Sequence, residues 1–422
     1  MAPLDISSAI AKIEDPSIPA SERPYGYSEL LNQISSSPDI SETPSYLAAF
    51  IDSVLSDALG IVAARPLLGA AVEVIRSIPS PEAQIEAGTH ALRVLEPRVV
   101  SFEEQDATIR EIMADAYTGQ DDFIDAAKML QGIQLESSQR KISDDAKVRT
   151  WMRICRLYIE EDDTTSAESY LNRAKNLLYK VDDSELNLQF HLSQARILDA
   201  RRKFLDASSA YHNVSFTPAL AEEERMQALS AAITCAVLAP AGPQRSRALA
   251  KLYKDERASD AAEFSILEKM FLDRLLSKEE VSKFADNLAP HQLAKTADGS
   301  TVLAKAVVEH NLLSASRLYS NIGVKELGIL LDLDAEKAEQ YAATMLEQGR
   351  LTGSIDQIDG VIFFDGIEGS GERTDAGKTK KVAGQGLRKW DAKVQGIAEE
   401  VERVTSMLQT QYPDFAQANM VH

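Results

Sequence analysis

Long apolar runs, paired cysteines and positive charge are what this 422-residue chain has least of. No segment approaches the roughly 20 consecutive apolar residues needed to span a bilayer. The N-terminal MAPLDISSAIAKIEDPSIPA also lacks the basic region and apolar stretch of a secretion signal. A soluble intracellular protein without a membrane partner is therefore expected. The only two cysteines, Cys155 and Cys235, sit inside apolar helical patterns. That excludes a disulfide framework and makes both core residues in a reducing compartment. The 45 Lys and Arg are outnumbered by 65 Asp and Glu, for a formal net charge of -20. A field of that sign repels polyanions, which makes nucleic acid a poor partner.

Catalytic patterns are missing too. The six histidines, at 90, 191, 212, 291, 310 and 422, include no pair at metal-ligand spacing such as H-E-x-x-H. There is no glycine-rich phosphate loop and no G-x-S-x-G turn. His310 is flanked by Glu309 and Asn311, but successive helical residues point in different directions, so the three make no dyad. The acidic EEDDTT at 160–165 lacks the regular ligand loop of a calcium site and reads as a solvated turn. These patterns give no catalytic, cofactor-binding or metal-binding residue, and the chain is not expected to be an enzyme.

What is present is helix. Pro16, Pro19, Pro24 and Pro38 limit the first forty residues to isolated helices of modest length. From Tyr46 the periodicity is continuous, with segments from 46–59 through 122–132, 145–159, 164–178, 184–200, 203–213, 221–238, 245–254, 260–275 and 278–285. Connections are short, so neighbours pack against each other. A period of 40 residues underlies the pattern: DDFIDAAKML, EDDTTSAESY and RRKFLDASSA align Ala127, Ala167 and Ala207, with Leu130, Tyr170 and Ala210 one turn on. Ala114, Cys155 and Ala195 echo it in the preceding helices. Small residues at such positions let paired helices approach closely, the construction of a helical-repeat solenoid. Trp151, Leu157, Tyr158, Tyr170 and Leu171 are core candidates in that stack, with an aromatic peptide groove as the alternative. PAGPQR (240–245) breaks the helix before it, either as a turn in the stack or as a bend between subdomains.

Helices at 301–315, 324–331 and 334–348 follow, the last stopped by Gly349. Two short strands, LTGSI and DGVIFF, come next with DQI as their turn. Three helices closed by a two-stranded wing make a winged-helix unit, whose exposed strand edge suits strand addition from another chain. Ile355, Ile358, Val361 and Phe363 are the candidate contact residues there. Between Asp332 and Arg350 the third helix carries five carboxylates against Lys337 and Arg350, a charge that opposes binding to a duplex. The basic GERTDAGKTKK (371–381) reads as linker. Beyond it, Trp390, Val394, Ile397, Val401, Val404 and Leu408 recur at alternating spacings of four and three along a helix over 385–411. That is the seam of a coiled coil or bundle and needs a partner to cover it.

EHNLLSASRLYSNI (309–322), continued by GVKELGILLDLDAEKAEQYAATMLEQGRLTGSIDQIDGVIFFD, resembles the PCI-domain family of scaffold subunits found in the proteasome lid, the signalosome and an initiation-factor complex. Residues 309–322 together with 355–360 are most similar to the fourth-subunit family of the COP-nine signalosome, in a fungal form. One departure is Phe363, where the resemblance leads to the expectation of a polar residue. The resemblance implies an all-α solenoid over 1–290, a winged-helix part over 291–366, a linker over 367–384 and a bundle helix over 385–411. It also implies a non-catalytic scaffold that supports removal of the ubiquitin-like Nedd8 from cullins in cullin-RING ligases, the zinc isopeptidase being a different subunit. Implied partners are other signalosome subunits, through the wing and bundle helix, and the cullin-RING ligase, through the N-terminal arm, in cytoplasm and nucleus. The alternatives are a lid or initiation-factor scaffold and, as a competitor of another class, a stand-alone metal isopeptidase.

Overall fold

The computed structural model describes residues 6–15, 19, 22–36, 42–56, 59–136, 141–295, 299–365 and 385–412. The chain divides into two compact units, Met1–Ser370 and Gly371–His422. The expected linker at 367–384 and the basic cluster at 371–381 lie outside the described residues.

The first unit opens with α1 (Ile6–Ile13), α2 (Arg23–Ser35), α3 (Thr43–Val54), α4 (Ile61–Ser77) and α5 (Pro81–Leu95). Tyr27 and Phe50 meet edge to face in their shared core, and the Tyr27 hydroxyl hydrogen-bonds Ser53 Oγ at 2.6 Å. Three helical hairpins follow: α6 (Glu103–Thr118) with α7 (Phe123–Gln131), α8 (Asp144–Glu160) with α9 (Thr164–Leu178), and α10 (Ser184–Ala200) with α11 (Phe204–Val214). Their turns repeat one geometry. Asp121, Asp162 and Arg202 are left-handed, with φ of 61°, 61° and 59°. The next residue's N–H in each case returns to a carbonyl five positions back: Asp122 to Tyr117, Asp163 to Tyr158 and Lys203 to Leu198. The aligned small residues Ala127, Ala167 and Ala207 are fully buried, as are Ala114, Cys155 and Ala195. The solenoid read from the 40-residue period is thus present in both turn and core. Within EEDDTT, Asp162 makes the left-handed turn and Asp163 caps α9 by accepting from the Thr165 and Ser166 amides. Its hydrogen bonds with Ser166 hold that carboxyl below the usual range. Both thiols are buried, and burial raises Cys155 to about 12 and Cys235 well above its ordinary value.

The stack continues through α12 (Glu222–Leu238), α13 (Pro243–Tyr253), α14 (Phe264–Phe271) and α15 (Lys278–Ala285). Helix boundaries shift from those expected, two of them here for a clear reason. α13 begins at Pro243 rather than 245, because proline is tolerated in a helix's first turn. α14 is shorter than 260–275, cut off by a 3-10 turn over Glu256–Asp260 and a left-handed Asp273.

α16 (Val302–Leu318) packs on α12 and opens the winged-helix unit, which continues through β1 (Asn321–Gly323), α17 (Val324–Leu331), α18 (Ala335–Glu347), β2 (Gly353–Asp356) and β3 (Val361–Phe364). The expected two-stranded wing is in fact a three-stranded antiparallel sheet of order β1-β3-β2. β3 is central, so its far edge is already paired. A three-residue strand is too short to show the alternation by which strands are read from sequence. The second unit contains α19 (Gln385–Gln411).

Candidate functional site

The winged-helix unit is joined to the solenoid by buried charge. Glu309 on α16 is 2% exposed, and Arg350, just beyond α18, grips both its oxygens at 2.5 and 3.0 Å. The same carboxylate accepts the Ala241 amide at 3.0 Å, and Arg350 donates to the Ala241 carbonyl at 3.2 Å. Arg245, also buried, donates to the carbonyls of Ala239 and Ala306. Burial lowers it to about 10, with Glu309 opposing that shift. Ala241 belongs to the winged-helix core although it lies in the α12–α13 connection. PAGPQR is thus the turn between α12 and α13 in the stack, and it has a second role. It is the seat into which the winged-helix unit is bound.

The two residues after Glu309 are buried as well, each held elsewhere. His310 Nε2 meets the Arg274 carbonyl at 2.9 Å, and burial pulls its imidazole down to about 4. Asn311 exchanges two hydrogen bonds with the Leu276 backbone. Glu309 thus holds Ala241 and Arg350 while His310 and Asn311 both hold the 274–276 segment, so the three do not form one reactive group.

In the wing, Ile362 and Phe364 face inward onto Leu312, Leu327, Ala338 and Met345. Ile355 pairs with Ile362 and is half-buried on the same face. Phe363 lies on the opposite face between Asn321 and Ser354, 43% exposed, and Val361 is half-buried. Phe363 thus stands on the outer face, where the resemblance leads to a polar residue. Ile358 is 96% exposed at the tip of a turn, shaped by Asp356 Oδ1 accepting the amides of Ile358 and Asp359. The structure therefore brings Ile358, Val361 and Phe363 to the surface of the wing and turns Ile355 inward. Sequence reasoning missed β1, whose Asn321, Ile322 and Gly323 form one outer edge of the sheet while β2 forms the other. On α18, Lys337 pairs with Asp334 at 3.8 Å, and Arg350 is committed to Glu309.

α19 is 27 residues, about 40 Å at 1.5 Å per residue. Trp390, Val394, Ile397, Val401 and Val404 are all exposed along it, Trp390 by 66% and Ile397 by 63%. The Leu408 side chain lies outside the described residues. Among the described residues no cluster of His, Cys, Asp and Glu could hold a metal ion, and no helix is long and apolar enough to cross a membrane.

Comparison with known proteins matches residues 15–223 to the family described as PSMD12/CSN4, N-terminal, and residues 281–365 to the PCI domain. The first description covers two subunits and does not choose between them. Full-length relatives do. COP9 signalosome complex subunit 4 of Emericella nidulans is 56% identical over 409 residues, 95% of this chain and 97% of that one. The chain belongs to the COP9 signalosome complex subunit 4 family. The subunit 4 of Neurospora crassa is 49% identical over 419 residues (94% and 95% covered), and that of Arabidopsis thaliana 41% over 386 (90% and 92%). The fungal character read from the sequence agrees with the two fungal relatives. As a PCI-domain scaffold subunit of the signalosome, the chain assembles with other signalosome subunits. The lid and initiation-factor alternatives give way to that assignment.

Proposed function

We propose that this chain works as a non-catalytic scaffold that carries the signalosome's reach toward its substrate and supports removal of Nedd8 from cullins in cullin-RING ligases, in cytoplasm and nucleus. The carrying observation is coverage: the Emericella nidulans relative matches 95% of the chain, so solenoid, winged-helix unit and C-terminal helix are retained together. In this reading the wing receives a neighbouring PCI domain at its exposed strand edges, its Ile358 tip and its outer face with Val361 and Phe363, and Ile355 supports them from behind. Residues 385–411 enter a helical bundle with other subunits through Trp390, Val394, Ile397, Val401, Val404 and Leu408. The arm over 1–290 reaches the cullin-RING end. Exposed apolar side chains on a strand face and a helix stripe support this division, since contiguous apolar surface marks sites of association.

Co-purification from native extract tests it, comparing the full chain with one lacking 385–422. Recovery of signalosome and cullin-RING subunits with the full chain only is expected. Equal recovery with the shortened chain would remove the bundle role from α19. The purified chain alone should neither cleave neddylated cullin nor carry stoichiometric zinc, and turnover by it would overturn the scaffold reading.

A further inference from the structure

The solenoid carries a groove that neither the wing nor the C-terminal helix explains. It has a volume of about 910 Å³ and lies across α7, α8 and α9. Leu135, Trp151, Tyr170 and Leu177 supply its apolar surface, and Tyr158 stacks on Tyr170 at 6.2 Å between ring centroids. Leu135, Tyr170 and Leu177 are only half-buried, so part of this surface is open to a ligand.

The groove's lining carries two cations, Lys147 and Arg173, and two carboxylates, Glu136 and Asp144. Several nearby cations are used internally: Arg149 by Asp145 and Asp183, Arg153 by Asp115, Lys180 by Asp144, Arg196 by Glu160. Lys147 on α8 and Arg173 on α9, both lining the groove, have no carboxylate partner among the described residues. Arg173 lies over the Tyr170 ring at 4.9 Å, its donors still available at the rim. Of the lining anions, Asp144 is neutralised by Lys180 and only Glu136 remains. Two unpaired cations beside an aromatic floor, on a chain of net charge -20, favour carboxylates in a ligand.

We propose that this groove binds a linear acidic segment of a partner protein, with an apolar anchor seated against Trp151 and Tyr170 and flanking carboxylates taken by Lys147 and Arg173. The contact is independent of the wing and bundle interfaces, so the isolated full chain suffices to test it.

The probe is a short fluorescein-labelled peptide with a Leu-Phe anchor between runs of Asp and Glu, read by anisotropy. Controls carry Asn and Gln, or Lys and Arg, in place of the acids. Binding of the acidic peptide alone is expected, weakening as salt is raised. Charge reversal at both Lys147→Glu and Arg173→Glu should weaken it by about tenfold or more, while Lys254→Glu on the exposed end of α13 should not. Both reversed side chains are partly or fully exposed, so the variants should keep the circular dichroism of the parent. In a Trp390→Phe background Trp151 is the sole tryptophan, and its emission should shift on binding. Absence of binding, equal binding of the neutral or basic peptides, indifference to the charge reversals, or a silent Trp151 would each overturn the proposal.

Discussion

At the scale of single residues, buried charges decide most. Glu309 compensates Arg350 and accepts a backbone amide in the interior. Removing one partner of such a pair strands the other, at a cost of about 3 kcal/mol or more. Glu309→Ala should therefore lower the urea midpoint sharply, and Glu309→Gln, which keeps an acceptor for Ala241, less so. Arg76→Ala breaks a pair with Glu73 in which both side chains are more than half exposed, and should cost no more than about 1 kcal/mol. His310 adds a pH dependence. Its pKa is lowered by burial to about 4, so the unfolded chain binds the proton first. Stability from this site is complete above the unfolded value of about 6.5 and is lost as pH falls toward 4, on the order of 3 kcal/mol in all. Urea titrations across that window should show the loss. His310→Gln, which can still donate to the Arg274 carbonyl, should flatten it.

At the scale of elements, the wing depends on close backbone approach. A Cβ at Gly353 would run into the Phe363 carbonyl of the paired strand. Gly353→Ala should therefore loosen β2 from β3, read as faster hydrogen exchange over 353–364. Ile358→Ser, at a tip already exposed to water, should change stability by less than about 0.5 kcal/mol, so that a loss of co-purifying subunits would report on the proposed contact alone. Because β3 is flanked on both sides, proline at Val361 would disrupt the sheet itself and cannot isolate an interface. The repeat was legible because Ala127, Ala167 and Ala207 recur at one spacing, and the α19 stripe because its apolar residues alternate by three and four. β1 was not, since Ile322 is the only large apolar side chain in a strand of three. The Glu309–Arg350 joint was equally hidden. Sequence shows two opposite charges 41 positions apart among 110 charged residues, and only the fold of the chain pairs them.

At the scale of the whole molecule, an exposed stripe on α19 carries the clearest expectation. Each large apolar side chain buried in a bundle contributes on the order of 2 kcal/mol. Ile397→Asp with Val401→Asp should therefore remove the chain from its complex in a pull-down, while Glu400→Ala on the polar face should leave it in place. Circular dichroism of the isolated variant should match the parent, since both side chains are already exposed.

The central position of β3 also has a mechanical consequence. Any tension on the chain beyond Phe364 enters the first unit through this strand. A terminal hairpin strand would peel away from one neighbour, but β3 is clamped by β1 and β2 together, so pulling it free means rupturing two ladders. In a force-extension experiment the wing should resist as one unit and yield in a single step.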